Sequence, residues 1–267
     1  ADKAVKCGYA GSTWEPRAFA AKMAAGRREL EAVARPARTV PPGGYPVYLA
    51  PAALEEILAI LGWGGFSLKE QRIRRSPLMK LVEGKERLSP AVNLWENTAD
   101  GFAPNFQGEG FGRPDRVPLI VEGRAGDALA SPRSAREFGV PTNGATSREA
   151  PESLDLAPGD LELSSVPAAL GTGIWINNLW YLNYSDRPSC RITGMTRFAT
   201  FWVEGGELVA PLNVMRFDET IYRMLGANLR GLTRERELSL DAGTYFRRST
   251  GSARLPGAVV DDFRLTL

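Results

Sequence analysis

Residues 171–209, which read GTGIWINNLWYLNYSDRPSCRITGMTRFATFWVEGGELV, decide the fold. Two aromatic-rich runs typical of β-strands, residues 173–181 and 196–203, flank a polar connection that is rich in turn-forming residues. Apolar side chains of the first run fall on both sides of the chain, which is typical of a strand that is covered on both faces. The sequence EGGE at residues 204–207 predicts a tight hairpin turn into a third strand at residues 208–211.

The flanking sequence carries several helix signals. Residues 16–35 begin with a proline and have an apolar stripe opposite Arg and Glu, so they predict an amphipathic helix. Apolar residues recur at helical spacing within residues 51–61. Ser67, with Glu70 three residues later, is placed to cap the next helix, and Ser131 precedes a short helix in the same way. Further helical pieces are expected at residues 77–81 and 167–170, and residues 220–227 could be helix or strand, with an apolar spacing that favours helix.

Most of the remaining regular structure is predicted to be β. Strands are expected at residues 1–11, 45–49, 91–96, 117–121 with a return through 129, 161–165, 232–240, 244–247, 253–260 and 263–267. Residues 141–158 form a long polar loop, and such a loop inside a compact domain is usually functional or mobile. Because no linker accompanies the shift to mainly β structure near residue 160, we expect one α+β domain over residues 1–267, with mixed, mostly antiparallel β-sheets and a few flanking helices.

The composition sets limits on the partners of the chain. Hydrophobic residues make up 43% and charged residues 24% of the chain, which is ordinary for a soluble globular protein. With 33 Lys and Arg against 31 Asp and Glu, the net charge is +2, so neither nucleic-acid binding nor membrane binding is indicated. No apolar run approaches the roughly 18 residues that a membrane span needs. Cys7 and Cys190 lie far apart in sequence, which favours a reducing, cytoplasmic location.

The chain contains no histidine. Catalytic zinc sites usually take at least one imidazole ligand, and Ser-His-Asp and Cys-His hydrolases need an imidazole base. The sequence therefore excludes both classes of catalysis for this chain acting alone. A phosphate-binding loop of the GxxxxGK[ST] type is also absent from the sequence, so nucleotide binding has no support.

The other chemically reactive side chains stand alone in the sequence. Asp186 in the polar connection and Glu109 among glycines could each serve as a general base or a metal ligand. Carboxylates in such turns more often accept hydrogen bonds from local backbone amides, and we expect the same of the turn at Asp261 and Asp262. Cys190 has no imidazole to activate it, which favours a buried, unreactive thiol.

A basic face is predicted on the helical segment that begins after residue 67. Such a face either binds an anion or a partner or is simply solvated, and the solvated surface is the commoner outcome. Its members are Lys69, Arg72, Arg74, Arg75 and Lys80.

Three asparagines, Asn177, Asn178 and Asn183, lie among the aromatic residues of the 171–209 stretch. Asparagine is depleted in strand interiors, and a buried carboxamide needs hydrogen-bond partners. We expect these side chains either to bond the backbone of an extended peptide laid along the sheet or to bond neighbouring loops. They are the candidate substrate-binding residues, and no residue is assigned as a catalytic group or as a metal ligand.

A series of motifs runs in a fixed order through most of the chain. Its C-terminal members are LNYSD at residues 182–186, ITGMTR at 192–197 and TFWVEGGE at 200–207. The earlier members are residues 44–54, 106–112, 117–123, 131–139 and 143–145. From about residue 40 to the end, this series resembles the C-terminal region of the TldD/PmbA (TldD/TldE) peptidase family.

The resemblance implies a TldD/PmbA C-terminal-type fold over residues 41–267. Residues 1–40 are then a strand and helix that lead in from an N-terminal region outside this sequence. The resemblance also implies a cytoplasmic system that cleaves unfolded or short peptides, including modified-peptide precursors. In that system a metal-bearing TldD-type subunit pairs with a PmbA/TldE-type subunit that has no metal site.

The chain departs from the metal motif of the TldD type, which is a helical His-Glu-x-x-x-His with a Cys later in the sequence. The corresponding helix, around residues 52–61, carries Glu55 and Glu56 but no imidazole. The resemblance therefore implies a PmbA/TldE-like subunit with no cofactor of its own, which acts on a peptide substrate with a zinc-bearing TldD-type partner; a homo-oligomer is left open. Two alternatives remain: a non-enzymatic peptide-binding or scaffold protein on the same fold, and an incomplete fragment that is unstable alone.

Overall fold

A computed structural model describes residues 4–244 and 248–266. The helices are α1 (Pro16–Val33), α2 (Pro51–Leu61), α3 (Leu68–Arg72), α4 (Met79–Val82), α5 (Pro132–Phe138) and α6 (Val166–Leu170), with a 3-10 turn at Leu163–Ser165 and a π-helical turn at Arg223–Ala227. The strands are β1 (Gly43–Leu49), β2 (Leu94–Asn97), β3 (Arg116–Val121), β4 (Arg124–Ala125), β5 (Ser153–Leu156), β6 (Gly173–Asp186), β7 (Arg191–Glu204), β8 (Glu207–Pro211), β9 (Arg216–Thr220), β10 (Leu229–Leu240) and β11 (Ser252–Leu265).

The strands of the described residues form one mixed sheet of 11 strands, which confirms the predicted α+β class with mostly antiparallel pairing. The order is β1-β6-β7-β9-β11-β5-β2-β3-β4, with β8 beside β7 and β10 beside β11. Strand β1 also pairs with β11, so that β1, β6, β7, β9 and β11 close into a ring. The pairs β1–β6 and β5–β11 are parallel.

One large hydrophobic core joins this ring to helix α2, which packs against β6 and β11. Phe217 of β9 and Phe263 of β11 are completely buried, and their ring centroids are 5.1 Å apart. Burial of a side chain of this size stabilises the folded state by about 1.5–3 kcal/mol. The buried residues of α2 include the four with the helical spacing seen in the sequence, Leu54, Ile57, Leu58 and Leu61. None of the described helices has the length and hydropathy that a membrane-spanning helix requires.

The β6–β7–β8 meander is the region that the sequence predicts best. The turn from β7 into β8 has positive φ at Gly205 (60°) and Gly206 (80°), as a two-residue hairpin turn of the primed type requires. Both long strands extend further than predicted. The motif at residues 182–186 belongs to β6 and is not a connection, because Asn183, Tyr184 and Asp186 pair with β7.

Residues 4–11 form no strand, contrary to the prediction for residues 1–11. This segment makes side-chain contacts in place of backbone pairing. The Lys6 ammonium lies 4.6 Å from the centroid of the Phe198 ring, and the Tyr9 hydroxyl donates a hydrogen bond to the carbonyl of Thr13. The helix predicted after this segment is confirmed as α1.

The strand predicted at residues 161–165 is also wrong. Leu161 makes a single bridge to Thr233, after which the chain turns into the 3-10 turn. The turn is held by the backbone amide of Leu163, which donates a hydrogen bond to the Glu235 carboxylate.

Three further differences concern long-range pairing. Strand β5 lies inside the predicted loop 141–158, strand β9 was not expected, and β11 continues through Asp261 and Asp262 without a turn. A bulge accommodates the two aspartates: Asp262 has a φ of 48°, and the register with β1 shifts there. Arg230 and Arg223 form ion pairs with Asp261 and Asp262, respectively. The strand predicted at residues 244–247 falls mostly on residues 245–247, which lie outside the described residues.

A buried carboxylate, Glu149, ties two helix starts together. Its Oε2 accepts hydrogen bonds from the Ser67 hydroxyl (2.5 Å) and the Lys69 amide (3.0 Å). Its Oε1 accepts from both the amide and the hydroxyl of Ser131, each at 2.9 Å. Ser67 and Ser131 are the N-caps of α3 and α5. Burial opposes ionisation of Glu149, but these hydrogen bonds outweigh it and lower its pKa.

We predict that Glu149→Gln lowers the free energy of unfolding at pH 7 by about 1–3 kcal/mol, because the amide cannot accept from all four donors. Since the folded pKa lies below the ordinary 4.5, the stabilisation is complete above pH 4.5 and is lost as the pH falls through the folded pKa. Urea unfolding at several pH values measures the difference. Glu137→Gln, on the exposed side of α5, is the control and should change stability by less than about 0.5 kcal/mol. A pH-independent difference for Glu149→Gln would contradict the assignment.

Gly257 is required where β11 crosses the ring of Tyr48, which is 1% exposed. A Cβ at Gly257 would overlap the Tyr48 ring atoms, whereas a Cβ at Gly231, in the adjacent strand β10, meets nothing within 4 Å. We therefore predict that Gly257→Ala destabilises the protein by about 1–3 kcal/mol and that Gly231→Ala does not. Thermal unfolding of the two variants tests this, and equal melting temperatures would show that the Tyr48 contact is not tight.

Candidate functional site

A cavity of about 1000 Å³ lies beside helix α2, at the upper end of the range of ligand pockets. Helix α2 and the turn after it form one wall with Glu55, Glu56 and Trp63. Residues 147–151, from the predicted long loop, form another part of the lining, and so do residues 251–253 at the start of β11. The loop 141–158 therefore contributes directly to the candidate site.

Carboxylates gather where α2 faces the end of β10. Glu55 accepts a 2.7 Å hydrogen bond from the Ser239 hydroxyl, and Asp241, two residues further on, also lines the cavity. Burial raises the pKa of Glu55; the Ser239 hydrogen bond lowers it, and the charges of Glu56 and Asp241 raise it again. Burial likewise raises the pKa of Glu56, against a lowering by the Lys6 charge. This part of the cavity therefore favours a cationic ligand group.

Cations gather beyond the C-terminal end of α2. The Arg187 guanidinium donates hydrogen bonds to the carbonyls of Trp63 (2.6 Å) and Arg75 (3.2 Å) and lies 5.1 Å from the centroid of the Tyr184 ring. Lys69 and Arg75, from the predicted basic face, line the same cavity. Their charges and that of Arg187 are not paired with a carboxylate of the described residues. Part of the basic face thus borders a ligand-sized space, while Arg74 pairs with Glu83 outside it.

A second cavity of about 620 Å³ adjoins the first. The two share Arg148, Asp241 and Gly251. Phe106 and Gln107, from the glycine-rich passage, line the second cavity. Because they share these lining residues, the two spaces are adjacent, and together they make up the groove.

The structure does not bring the three asparagines to this groove. The Asn177 side-chain amide donates a 2.8 Å hydrogen bond to the Glu29 carboxylate and so ties β6 to α1. The Oδ1 atom of Asn178 is buried with no hydrogen-bond partner within the described residues, and the exposed Asn183 accepts from the amide of Tyr184. None of the three lines the 1000 Å³ cavity, and their substrate-binding role stays a prediction.

The isolated reactive groups also lie away from the 1000 Å³ cavity. Cys190 is completely buried, as predicted, and burial raises the pKa of its thiol to about 12. Glu109 sits in a local turn in which its backbone amide donates a hydrogen bond to the Gln107 side chain. Asp186 ends β6, where it pairs in register with Arg191.

The donors around the cavity suit charge recognition better than zinc binding. Zinc sites use imidazole and thiolate ligands in addition to carboxylates, whereas the acidic residues here offer oxygen atoms alone. Across residues 4–244 and 248–266, no three His, Cys, Asp or Glu side chains are grouped to hold a metal ion. What the cavity can do chemically is bind and orient a ligand through opposite charges and hydrogen bonds.

Sequence reasoning placed Glu55 and Glu56 on the right helix and singled out Lys69 and Arg75 in the basic face, but it missed the other charged residues of this site. Asp241, Arg148 and Glu149 lie in polar segments that carry no motif. The one available signal was the unusual length of the loop 141–158, which marked the region but not the residues.

Comparison with known proteins identifies the family. A family model described as the PmbA/TldA metallopeptidase C-terminal domain matches residues 42–267. A search of curated proteins gave no significant match to the chain.

Solved structures share the fold. TldE from Thermococcus kodakarensis superposes with a TM-score of 0.75 at 14% identity, covering 93% of this chain and 55% of that one. A candidate modulator of a DNA gyrase from Thermotoga maritima superposes with a TM-score of 0.73 at 17% identity, covering 95% of this chain and 56% of that one. A candidate modulator of DNA gyrase from Bacteroides thetaiotaomicron superposes with a TM-score of 0.68 at 17% identity, covering 92% of this chain and 51% of that one. The chain thus spans about half the length of these proteins.

At such low identities the structural likeness shows the fold alone, but the family model covers most of the chain. The resemblance drawn from the motif order is confirmed, and so is the TldD/PmbA C-terminal-type fold. The chain belongs to the PmbA/TldD metallopeptidase family, and residues 42–267 form its C-terminal domain.

Proposed function

We propose that the chain is the metal-free, PmbA/TldE-like component of a cytoplasmic heteromeric peptidase. In this role it helps a zinc-bearing TldD-type partner to cleave unfolded or short peptides. The observation that carries the proposal is helix α2. The resemblance equates it with the metal-binding helix of TldD-type chains, yet here it turns Glu55 and Glu56, without an imidazole, toward a ligand-sized cavity.

The groove supports a peptide as the ligand. Its two cavities, of about 1000 and 620 Å³, share lining residues and together extend beyond the size of a single amino acid. The lining combines charged groups with apolar surface from Leu58, Trp63 and Leu154, which suits a chain that has both polar backbone and variable side chains. The fold shared with TldE from Thermococcus kodakarensis supports the PmbA/TldE-like assignment.

Peptide hydrolysis is assigned to the partner on chemical grounds. Activation of water at neutral pH needs a base or a metal centre with suitable ligands. Here the Cys190 thiol is buried away from the groove, the sequence supplies no imidazole, and we assign the cavity carboxylates Glu55 and Glu56 to binding. The residues that this chain contributes would bind the peptide, orient it and limit the access of water.

The alternative is a non-enzymatic peptide-binding or scaffold protein. It uses the same groove but releases or retains the bound peptide intact. This alternative would be favoured if peptide binds to the chain but is not cleaved when a TldD-type subunit is present. An incomplete fragment would instead fail to unfold cooperatively and reversibly on its own.

Mixing experiments test the peptidase proposal. We expect no cleavage of a fluorogenic unfolded peptide by the isolated chain, and chelator-sensitive cleavage once a TldD-type subunit is added and co-purifies with it. Chelator-insensitive cleavage by the isolated chain would overturn the proposal.

A cavity variant tests whether the groove takes part. Trp63 lines the 1000 Å³ cavity and is 57% exposed, so Trp63→Ala removes contact surface without opening the core. We expect it to lower cleavage by the mixture about tenfold, consistent with the loss of an aromatic anchor. Trp14→Ala is the matched control, because Trp14 is 63% exposed and lies outside the cavity lining. Equal activity of the two variants would place the peptide elsewhere.

A further inference from the structure

The 1000 Å³ cavity has two poles of opposite charge. Glu55 lies in the first half of α2, and its contact with Ser239 places it beside Asp241. Arg187 donates to the carbonyl of Trp63, just beyond the C-terminal end of α2. Helix α2 rises 1.5 Å per residue, so the six residues from Glu55 to its last residue, Leu61, span about 9 Å, and the turn to Trp63 brings the separation of the poles to roughly 12 Å.

Within the part of the chain that the structure describes, the basic pole is not neutralised by ion pairs. Lys69, Arg75 and Arg187 form no ion pair with the described residues, and the Arg187 hydrogen bonds go to neutral carbonyls. Glu70 lies at the same pole, which leaves an excess of positive charge there. The Glu149 carboxylate accepts from four donors of the protein and has no capacity left for a ligand.

The described residues do not neutralise the acidic pole either, and Arg148, which lines both cavities together with Asp241, forms no ion pair with it. Glu55, Glu56 and Asp241 all line the cavity, and the hydrogen bond that Glu55 accepts comes from a neutral hydroxyl. Lys6 is the cation whose charge acts on Glu56, and it stacks on Phe198 without forming an ion pair with the described residues. A ligand cation would therefore meet carboxylates that are already held in place.

We propose that this cavity binds a short peptide by both of its free ends, an inference that rests on the proposed function and names its ligand. The α-ammonium group lies at Glu55, Glu56 and Asp241, and the α-carboxylate lies at Lys69, Arg75 and Arg187. An extended chain covers about 3.3–3.6 Å per residue, so a span of about 12 Å corresponds to roughly three or four residues. A single amino acid is too short to reach both poles, and an internal segment of a long chain carries neither charge.

Calorimetric titration of the isolated chain with tri-alanine, N-acetyl-tri-alanine and tri-alanine amide tests the proposal. We expect tri-alanine to bind and each blocked peptide to bind at least about tenfold more weakly, because a blocked end loses a charge-assisted contact. Equal affinity for the three peptides, dependence on one end only, or no binding of tri-alanine would each overturn it.

Two variants test which pole of the cavity binds which end of the peptide. Within the described residues, the side chains of Glu56 and Arg75 form no hydrogen bonds. The variants Glu56→Gln and Arg75→Gln should therefore fold normally. We expect Glu56→Gln to weaken the binding of tri-alanine but not that of the N-acetylated peptide. Arg75→Gln should weaken the binding of tri-alanine but not that of the amide. Arg72→Gln, from the same basic face but outside the cavity lining, is the control and should bind like the unmodified chain. The reversed pattern would overturn the assigned direction.

This titration and the mixing experiment fail independently. The titration needs no partner and no turnover, so a negative result removes the two-ended recognition and leaves cleavage of unfolded peptides by the mixture intact. Absence of cleavage by the mixture together with tri-alanine binding would remove the peptidase role and retain the binding site.

Discussion

Strand β11 is the constraint on which the rest of the structure depends. It pairs with β1, β5, β9 and β10, and so it belongs both to the closed ring and to the open arm of the sheet. Its C-terminal half closes the ring, and its first residues line the cavity together with α2. Because both edges of the strand are hydrogen-bonded, this part of the cavity lining moves only if sheet pairing is lost. A binding site built on such an element keeps its geometry without help from a ligand.

The remaining wall of the cavity is held by the hydrogen bonds of one side chain. The segment of residues 147–151 has no regular structure, and yet Glu149 fixes it by accepting hydrogen bonds from the N-caps of α3 and α5. Each bond to an ionised carboxylate contributes about 1.5–3 kcal/mol when the acceptor is buried. Arg148 and Pro151 on either side are thereby held at the cavity surface. One ionised side chain thus fixes this irregular segment to the starts of two helices.

Local patterns predicted those elements whose signals lie within a few residues. The spacing of Leu54 to Leu61, the capping serines and the glycine pair at the β7–β8 turn all specify structure locally, and each appears where expected. The errors concern elements specified from a distance. Strand β5 is held by β2 and β11, which lie far away in sequence, and the aspartates of β11 are accommodated by a bulge and by ion pairs with arginines more than 30 residues away. The candidate site is harder still, because its acids and bases come from five separate segments that only the folded sheet assembles.

Coulomb's law shows why the separation of charges in the cavity matters. Opposite charges about 12 Å apart attract by only about 0.3–1.4 kcal/mol for effective dielectric constants of 80 to 20, whereas a pair at 4 Å gains about 1–4 kcal/mol. The poles therefore do little to neutralise each other, and a charged group in contact with either pole gains more. Burial already raises the pKa values of Glu55 and Glu56, so that an ammonium group bound there would favour their ionised forms and lower both values. At a pH near these raised pKa values, binding of a cationic group therefore promotes loss of a proton from this cluster. The two adjacent carboxylates of α2 thus have a role that needs no imidazole.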